Sequence, residues 1–226
     1  MNKNTYVQFE NNFFEKIIKN KRLEMFNLLK KQINIYKLKE LLDIGTTNDS
    51  DLKSSNIFCN MLEVVPIHKS ISNQIIKNKR FKICTNKSIT SNFTKKEISQ
   101  LKSDLVISSA TIEHVGSLKN QIKKVNNMIK LSRKYIVITT PNRFFPIEVH
   151  TKLPLIHWLP KNIFRKILLL LGMSYFAYEK NLNLLDKTDL HNILANFSKK
   201  INYKIYNIKF LGFVSNFFVI GELKNK

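Results

Sequence analysis

Residues Ser103 to Val115 read Ser-Asp-Leu-Val-Ile-Ser-Ser-Ala-Thr-Ile-Glu-His-Val. The apolar, β-branched run inside this stretch stops abruptly at Ser108, Ser109 and Ala110. A short apolar run that ends on small residues is the pattern of a buried parallel strand delivering a loop to a ligand. Leu-Leu-Asp-Ile-Gly at Leu41 to Gly45 and Tyr-Ile-Val-Ile-Thr-Thr-Pro-Asn-Arg at Tyr135 to Arg143 repeat the pattern. Three such strands at wide spacing imply one sheet whose ends meet at a nucleotide-type cofactor site.

Outward from these stretches the chain alternates between strand and helix patterns. Phe9 to Ile33 carries Phe9, Phe13, Ile17, Met25, Leu28 and Leu29 at near-helical spacing, which predicts an N-terminal helix. Lys39 to Gly45 is the first predicted strand, and Thr46 to Ser55 is the loop and capping segment after it. Ser70 to Ile75, Arg80 to Thr85, Asp104 to Ala110 and Tyr135 to Thr140 follow as strands, with a helix over Lys119 to Leu131. Beyond an irregular, proline-containing stretch at Pro146 to Pro160, apolar helices are expected at Ile163 to Tyr178 and Leu184 to Phe197. Lys204 to Phe213 and Asn216 to Leu223 form a closing strand pair. Such alternation indicates an α/β fold with a doubly wound sheet, the last pair adding an antiparallel strand to an otherwise parallel sheet.

Composition narrows the class. The 226 residues, 43% of them hydrophobic, can bury a full core and are read as one domain. Cys59 and Cys84 belong to no CxxC pair, so neither a disulfide framework nor a zinc motif is expected. Met1 to Gln8 lacks a basic cap followed by an apolar run, so no secretory signal is expected and a cytoplasmic location fits. The apolar part of Ile163 to Tyr178 is too short to span a bilayer, although residues 154–178 are a candidate for peripheral membrane contact. The net charge of +22 invites a nucleic-acid reading. The lysines, however, are scattered as singles and pairs among asparagines and isoleucines, the mix an AT-rich coding sequence produces, and net charge alone specifies no partner.

Ser108 to Gly116 and Thr139 to Pro160, together with Leu41 to Gly45, resemble the class I S-adenosylmethionine-dependent methyltransferases, and within them small bacterial enzymes. The resemblance covers Leu41 to about Leu185. It implies a Rossmann-like, mostly parallel seven-stranded sheet ending in a reversed hairpin, with the cofactor at the carboxyl ends of the strands. It divides the chain into an N-terminal helix (1–35), a cofactor-binding core (36–145), an inserted substrate or lid segment (146–183), and a last helix with the strand pair (184–226).

S-adenosylmethionine is the cofactor that the resemblance implies. Asp43 and Gly45 match the family's first motif, the glycine admitting close approach and the carboxylate holding the loop or meeting the ammonium. The chain departs from the family where further glycines are usual: Thr46, Thr47, Asn48 and Asp49 stand there, and the hydroxyls with Asp49 are alternative cofactor ligands. It departs again after the second strand, where relatives place an acidic residue for the ribose hydroxyls and the best-aligned residue is Asn73. An amide lacks the charge that makes carboxylate bonds roughly twice as strong. Ser88 is the candidate for the adenine end, and Ser109 and Ala110 are small enough to pass beneath the reacting methyl.

Glu113 and His114 are the candidate catalytic pair. A histidine near its ordinary pKa suits removal of a proton from a hydroxyl; the alternative is that the pair only caps the next element and lines the cofactor. No metal site is expected, because one glutamate does not make one. Asn142, Arg143, His150 and Trp158 are the candidate substrate wall, in the long segment over the strand ends. The expected substrate is a small or lipid-linked methyl acceptor. A noncatalytic cofactor-binding or interaction module is the alternative. A nucleic-acid methyltransferase is less favoured, because the chain lacks the Asn-Pro-Pro-aromatic tetrapeptide used on exocyclic amines.

Overall fold

The computed structural model describes residues 12–48 and 62–224, with side chains from residue 16 onward. Asp49, Cys59 and the first residues of the predicted N-terminal helix lie outside the described residues. In chain order the elements are α1 (Asn12–Gln32), β1 (Glu40–Ile44), β2 (Ile67–Ser72), β3 (Phe81–Asn86), α2 (Lys95–Leu101) and β4 (Ser103–Ser109). They continue as α3 (Leu118–Leu131), β5 (Ser132–Pro141), α4 (Lys161–Leu170), α5 (Ser174–Ala177), α6 (Lys187–Ala195), β6 (Ile201–Phe210) and β7 (Phe213–Leu223). Short 3-10 turns stand at Ile35–Lys37, Ile112–His114 and Ile156–Trp158.

The seven strands form one sheet in the order β3-β2-β1-β4-β5-β7-β6. The first five are parallel, and β7 runs antiparallel to both β5 and β6. Both faces of the central strands are covered, which explains why their middles are continuous apolar runs rather than alternating. Leu42, Val106 and Ile136 pack with Val125 and Met128 of α3 and Leu190 and Ile193 of α6. Their neighbours Leu41, Leu105 and Val137 point the other way and pack with Met25, Phe26 and Leu29 of α1. A third, smaller cluster of Phe164, Leu168, Ala177, Leu182 and Leu184 gives the inserted segment a core of its own.

Several boundaries differ from the sequence-based expectation, each for a physical reason. The second strand lies at Ile67–Ser72 rather than Ser70 to Ile75. Its first half hides a buried His68 and Lys69, and the lysine tolerates burial because its ammonium pairs with Glu40 at 3.1 Å and donates to the Lys102 carbonyl at 3.1 Å. Helix α2, absent from the expectation, is announced by Thr94 and Glu97, which form a reciprocal capping box. The helix expected over Ile163 to Tyr178 is two, α4 and α5, because Gly172 turns the chain at φ +72°. The helix expected over Leu184 to Phe197 starts only at Lys187, after the capping Asp186. The closing strands are joined by Leu211 and Gly212, both at positive φ, as a two-residue hairpin requires. Among the described residues no helix is long and apolar enough to cross a membrane.

Leu105, with no exposed surface at the middle of β4, is the test of the α1-side core. Leu105→Ala is expected to lower the unfolding free energy in urea by about 2–5 kcal/mol, the usual cost of a large-to-small change in a packed core. A loss below about 1 kcal/mol would contradict the packing described for that face.

Candidate functional site

The chain builds β1, β2 and β3 in one direction, then returns across β1 to place β4 on its other side. Ligands of open α/β sheets bind at the carboxyl ends of strands where the order reverses in this way. The turn after β1 is tied down at that point. Buried Asp43 accepts from the Thr46 hydroxyl (2.8 Å to Oδ2), which also lies 3.1 Å from the Asp43 carbonyl. The Gly45 amide donates to the Ile71 carbonyl at 2.8 Å, and the Ser72 hydroxyl donates to the Thr46 carbonyl at 2.7 Å, so β2 braces the turn.

Gly45 itself has two reasons to be glycine. Its φ is +84°, and a Cβ there would stand 2.6 Å from Cγ2 of Thr111. On its Cβ side the glycine is therefore closed by the loop after β4. Thr46 and Thr47 are both buried. Asn73 directly follows β2 and is exposed. Ser88, two residues beyond β3, accepts from the Thr90 amide at 3.2 Å and lies 2.8 Å from the Thr90 hydroxyl.

At the end of β4, Ser109 Oγ lies 3.3 Å from Thr139 Oγ1, and Ala110, at φ +48°, donates its amide to the Thr139 carbonyl and hydroxyl, both at 3.0 Å. Thr111 is a hub: its Oγ1 lies 2.7 Å from Ser108 Oγ and accepts from Lys124 Nζ at 2.5 Å. Lys124, from α3, has no exposed surface. Burial lowers its pKa to about 7, against the opposing pull of the Glu113 and Asp43 carboxylates. Sequence reasoning missed this residue, although Lys124 shares a helical face with Gln121, Val125 and Met128, all buried. A lysine at a core position of an amphipathic helix was the available signal.

Glu113 is also fully buried. Its Oε2 accepts from the Thr140 hydroxyl at 3.1 Å, its carbonyl accepts from the Asn183 amide at 2.8 Å, and its Oε1 finds no partner among the described residues. His114 places Nδ1 2.8 Å from the Asn181 carbonyl and Nε2 3.1 Å from Nε2 of His150. His150 in turn sets Nδ1 2.6 Å from Glu148 Oε1. Burial depresses the His114 pKa. Burial acts in the same direction on His150, but the hydrogen bond and charge of Glu148, with the Glu113 charge, outweigh it and raise that pKa. Burial alone would raise the Glu148 pKa; the His150 ring and the amides of His150 and Thr151 hold it at about 2 instead.

The sequence-predicted residues thus divide. Glu113, His114 and His150 converge, His150 reaching across from the inserted segment. Asn142 and Arg143 make bonds within the protein: Asn142 donates to the Val214 carbonyl at 2.8 Å, and Arg143 donates to the carbonyls of His157 and Leu159 at 3.1 and 2.6 Å. Trp158 is exposed and donates to the Phe145 carbonyl at 3.4 Å.

The strand order with its reversed last hairpin, and the β1 turn at the switch point, decide the fold. It is the class I S-adenosylmethionine-dependent methyltransferase fold. The N-methyltransferase NodS from Bradyrhizobium japonicum superposes with a TM-score of 0.54 at 10% identity, covering 96% of this chain and 100% of that one. The magnesium protoporphyrin IX methyltransferase ChlM from Synechocystis, solved with bound SAM, superposes at 0.53 and 8% identity over 96% of this chain and 87% of that one. NodS solved with S-adenosyl-L-homocysteine gives 0.54 and 10% over 90% and 87%. No family model matches the chain, and no curated protein matches its sequence. In this methyltransferase fold, Asp43, Gly45, Asn73 and Ser109 stand at the carboxyl ends of β1, β2 and β4.

Two outcomes test this geometry. Gly45→Ala is expected to destabilise the protein by roughly 1–3 kcal/mol, as left-handed strain does. Adding Thr111→Ser, which removes Cγ2 and keeps the hydroxyl, should recover part of the loss. Full additivity of the two changes in denaturant unfolding would contradict the close approach. Lys124 gives a pH test: its folded pKa of about 7 lies below its ordinary 10.5, so between those values the unfolded chain binds more protons and its contribution to stability rises with pH. The stability advantage of Lys124→Met over the parent protein should therefore shrink from pH 7 toward pH 10. An advantage independent of pH would contradict the buried, neutralising lysine.

Proposed function

We propose that the protein is a methyltransferase that takes its methyl group from S-adenosylmethionine. The observation that carries the reading is the β1 turn at the switch point, where Asp43, Thr46 and Ser72 fasten a buried polar loop beside the small residues Ser109 and Ala110. Transfer from a sulfonium is an in-line displacement, so the protein's work is to align the acceptor atom with the methyl group and exclude water. Asn73 and Ser88 would meet the ribose and adenine ends, Ser109 and Ala110 would pass beneath the methyl, and the pair Glu113 and His114 would face the acceptor.

The acceptor in this reading is a small or lipid-linked molecule, received at the segment after β5. Exposed Trp158, Leu159, Ile163 and Leu170 crowd that segment, with Lys166 among them. An apolar face edged by cations suits an anionic lipid interface. Co-sedimentation with anionic vesicles, reduced by Ile163→Asp with Leu170→Asp, is the expected result. Equal recovery of parent and variant would contradict the membrane part of the reading.

Cofactor binding is tested by calorimetry with S-adenosylmethionine and S-adenosylhomocysteine. Saturable binding is expected, and Asn73→Asp should tighten it by about tenfold, since about 1.4 kcal/mol corresponds to that factor and a charged acceptor strengthens ribose bonds. No heat at millimolar cofactor would overturn the reading in favour of a noncatalytic module.

A further inference from the structure

We propose that Glu113, His114 and His150 form a binding site for a divalent first-row transition-metal cation. The three ligand atoms lie within 4.8 Å of one another, two of them on the turn after β4 and the third on the inserted segment.

Donor and acceptor accounting carries the argument. The group facing His114 Nδ1 is the Asn181 carbonyl, which only accepts, so that nitrogen carries its hydrogen and Nε2 presents a lone pair. The group facing His150 Nδ1 is the ionised Glu148 carboxylate, which also only accepts, so Nδ1 carries its hydrogen and Nε2 is the atom turned toward His114. The two Nε2 atoms face each other at 3.1 Å, so a single cation satisfies both: a proton on His150, which Glu148 favours, or a metal ion in its place. Beside them the fully buried Glu113 has one oxygen held by Thr140 and the other without a partner among the described residues. Three electron-rich groups converging in a buried place call for a cation, because burying them unpaired is costly.

The spacing suits a metal. Two imidazole nitrogens bound at about 2.1 Å stand about 3.0 Å apart at a right angle and about 3.4 Å apart at the tetrahedral angle, a range that includes the 3.1 Å observed. Rotation of the Glu113 side chain would bring its free oxygen to the same ion. Both imidazoles are already oriented through Nδ1, His150 by a carboxylate and His114 by a carbonyl, which is the usual outer arrangement of metal-bound histidines. Two nitrogens and one carboxylate favour ions such as Zn(II), Mn(II), Fe(II) or Co(II) over magnesium and calcium, which prefer all-oxygen shells. With three protein ligands the ion keeps open positions.

The test uses the full chain stripped with a chelator and titrated with Co(II), followed by visible absorption, with Zn(II) as competitor. One cobalt per chain is expected, displaced by zinc. Glu148→Gln should weaken binding by about 10–100-fold, the usual effect of an outer partner, and His150→Ala by more than that. Because a variant of a buried histidine can fail to fold, zinc is also added to the parent protein while imidazole 15N resonances are recorded. Nε2 of His114 and His150 should shift and those of His191 should not. Absence of saturable cobalt binding by the parent protein, unmoved His114 and His150 resonances, or parent-like affinity in folded His150→Ala would each overturn the site. Cofactor binding measured on the same stripped protein separates this proposal from the methyl-transfer reading, since either can fail while the other stands.

Discussion

A lysine with no exposed surface lies beneath the carboxyl edge of the sheet, and the site is arranged around its charge. Lys124 Nζ reaches Thr111 Oγ1, and the Asp43 and Glu113 carboxylates pull on it from the ends of β1 and β4. An isolated buried ammonium would cost several kcal/mol. The two acids and the threonine hydroxyl offset part of that cost, and burial lowers the lysine pKa to about 7. Thr111, bonded to Lys124, presses its methyl toward Gly45 and so sets how closely the loop after β4 can approach the turn after β1. Lys124 and Thr111 thus tie the loop after β4 to the turn after β1.

The inserted segment completes the site from the other side. It carries its own small apolar cluster, and Arg143 pins it at His157 and Leu159 through their carbonyls. That rigidity lets Glu148 and His150 be delivered to His114 from 36 residues away in sequence. The same segment turns its exposed apolar residues outward, so one piece of chain serves the buried polar cluster on one side and a surface of different character on the other.

Legibility followed burial. The three quoted stretches were readable because strands covered on both faces carry continuous apolar runs at their centres, as β1, β4 and β5 do. Strand β2 was shifted in the reading because Lys69 and His68 are buried by pairing, which periodicity cannot show. Glu113 and His114 were singled out because they adjoin a strand end. Their partnership with His150 was not legible, since it depends on how the inserted segment folds back. The contact of Thr111 on the Cβ side of Gly45 was not legible either, since it joins loops distant in sequence.

The central claim is that the carboxyl ends of β1, β2 and β4 form the cofactor site. Backbone amide resonances of the labelled protein, followed as S-adenosylhomocysteine is added, test it most directly. The account predicts saturating shifts concentrated at Gly45 to Thr47, Ser72 and Asn73, and Ser109 to Thr111. Shifts absent from those amides, or clustered at the opposite ends of the same strands, would contradict it.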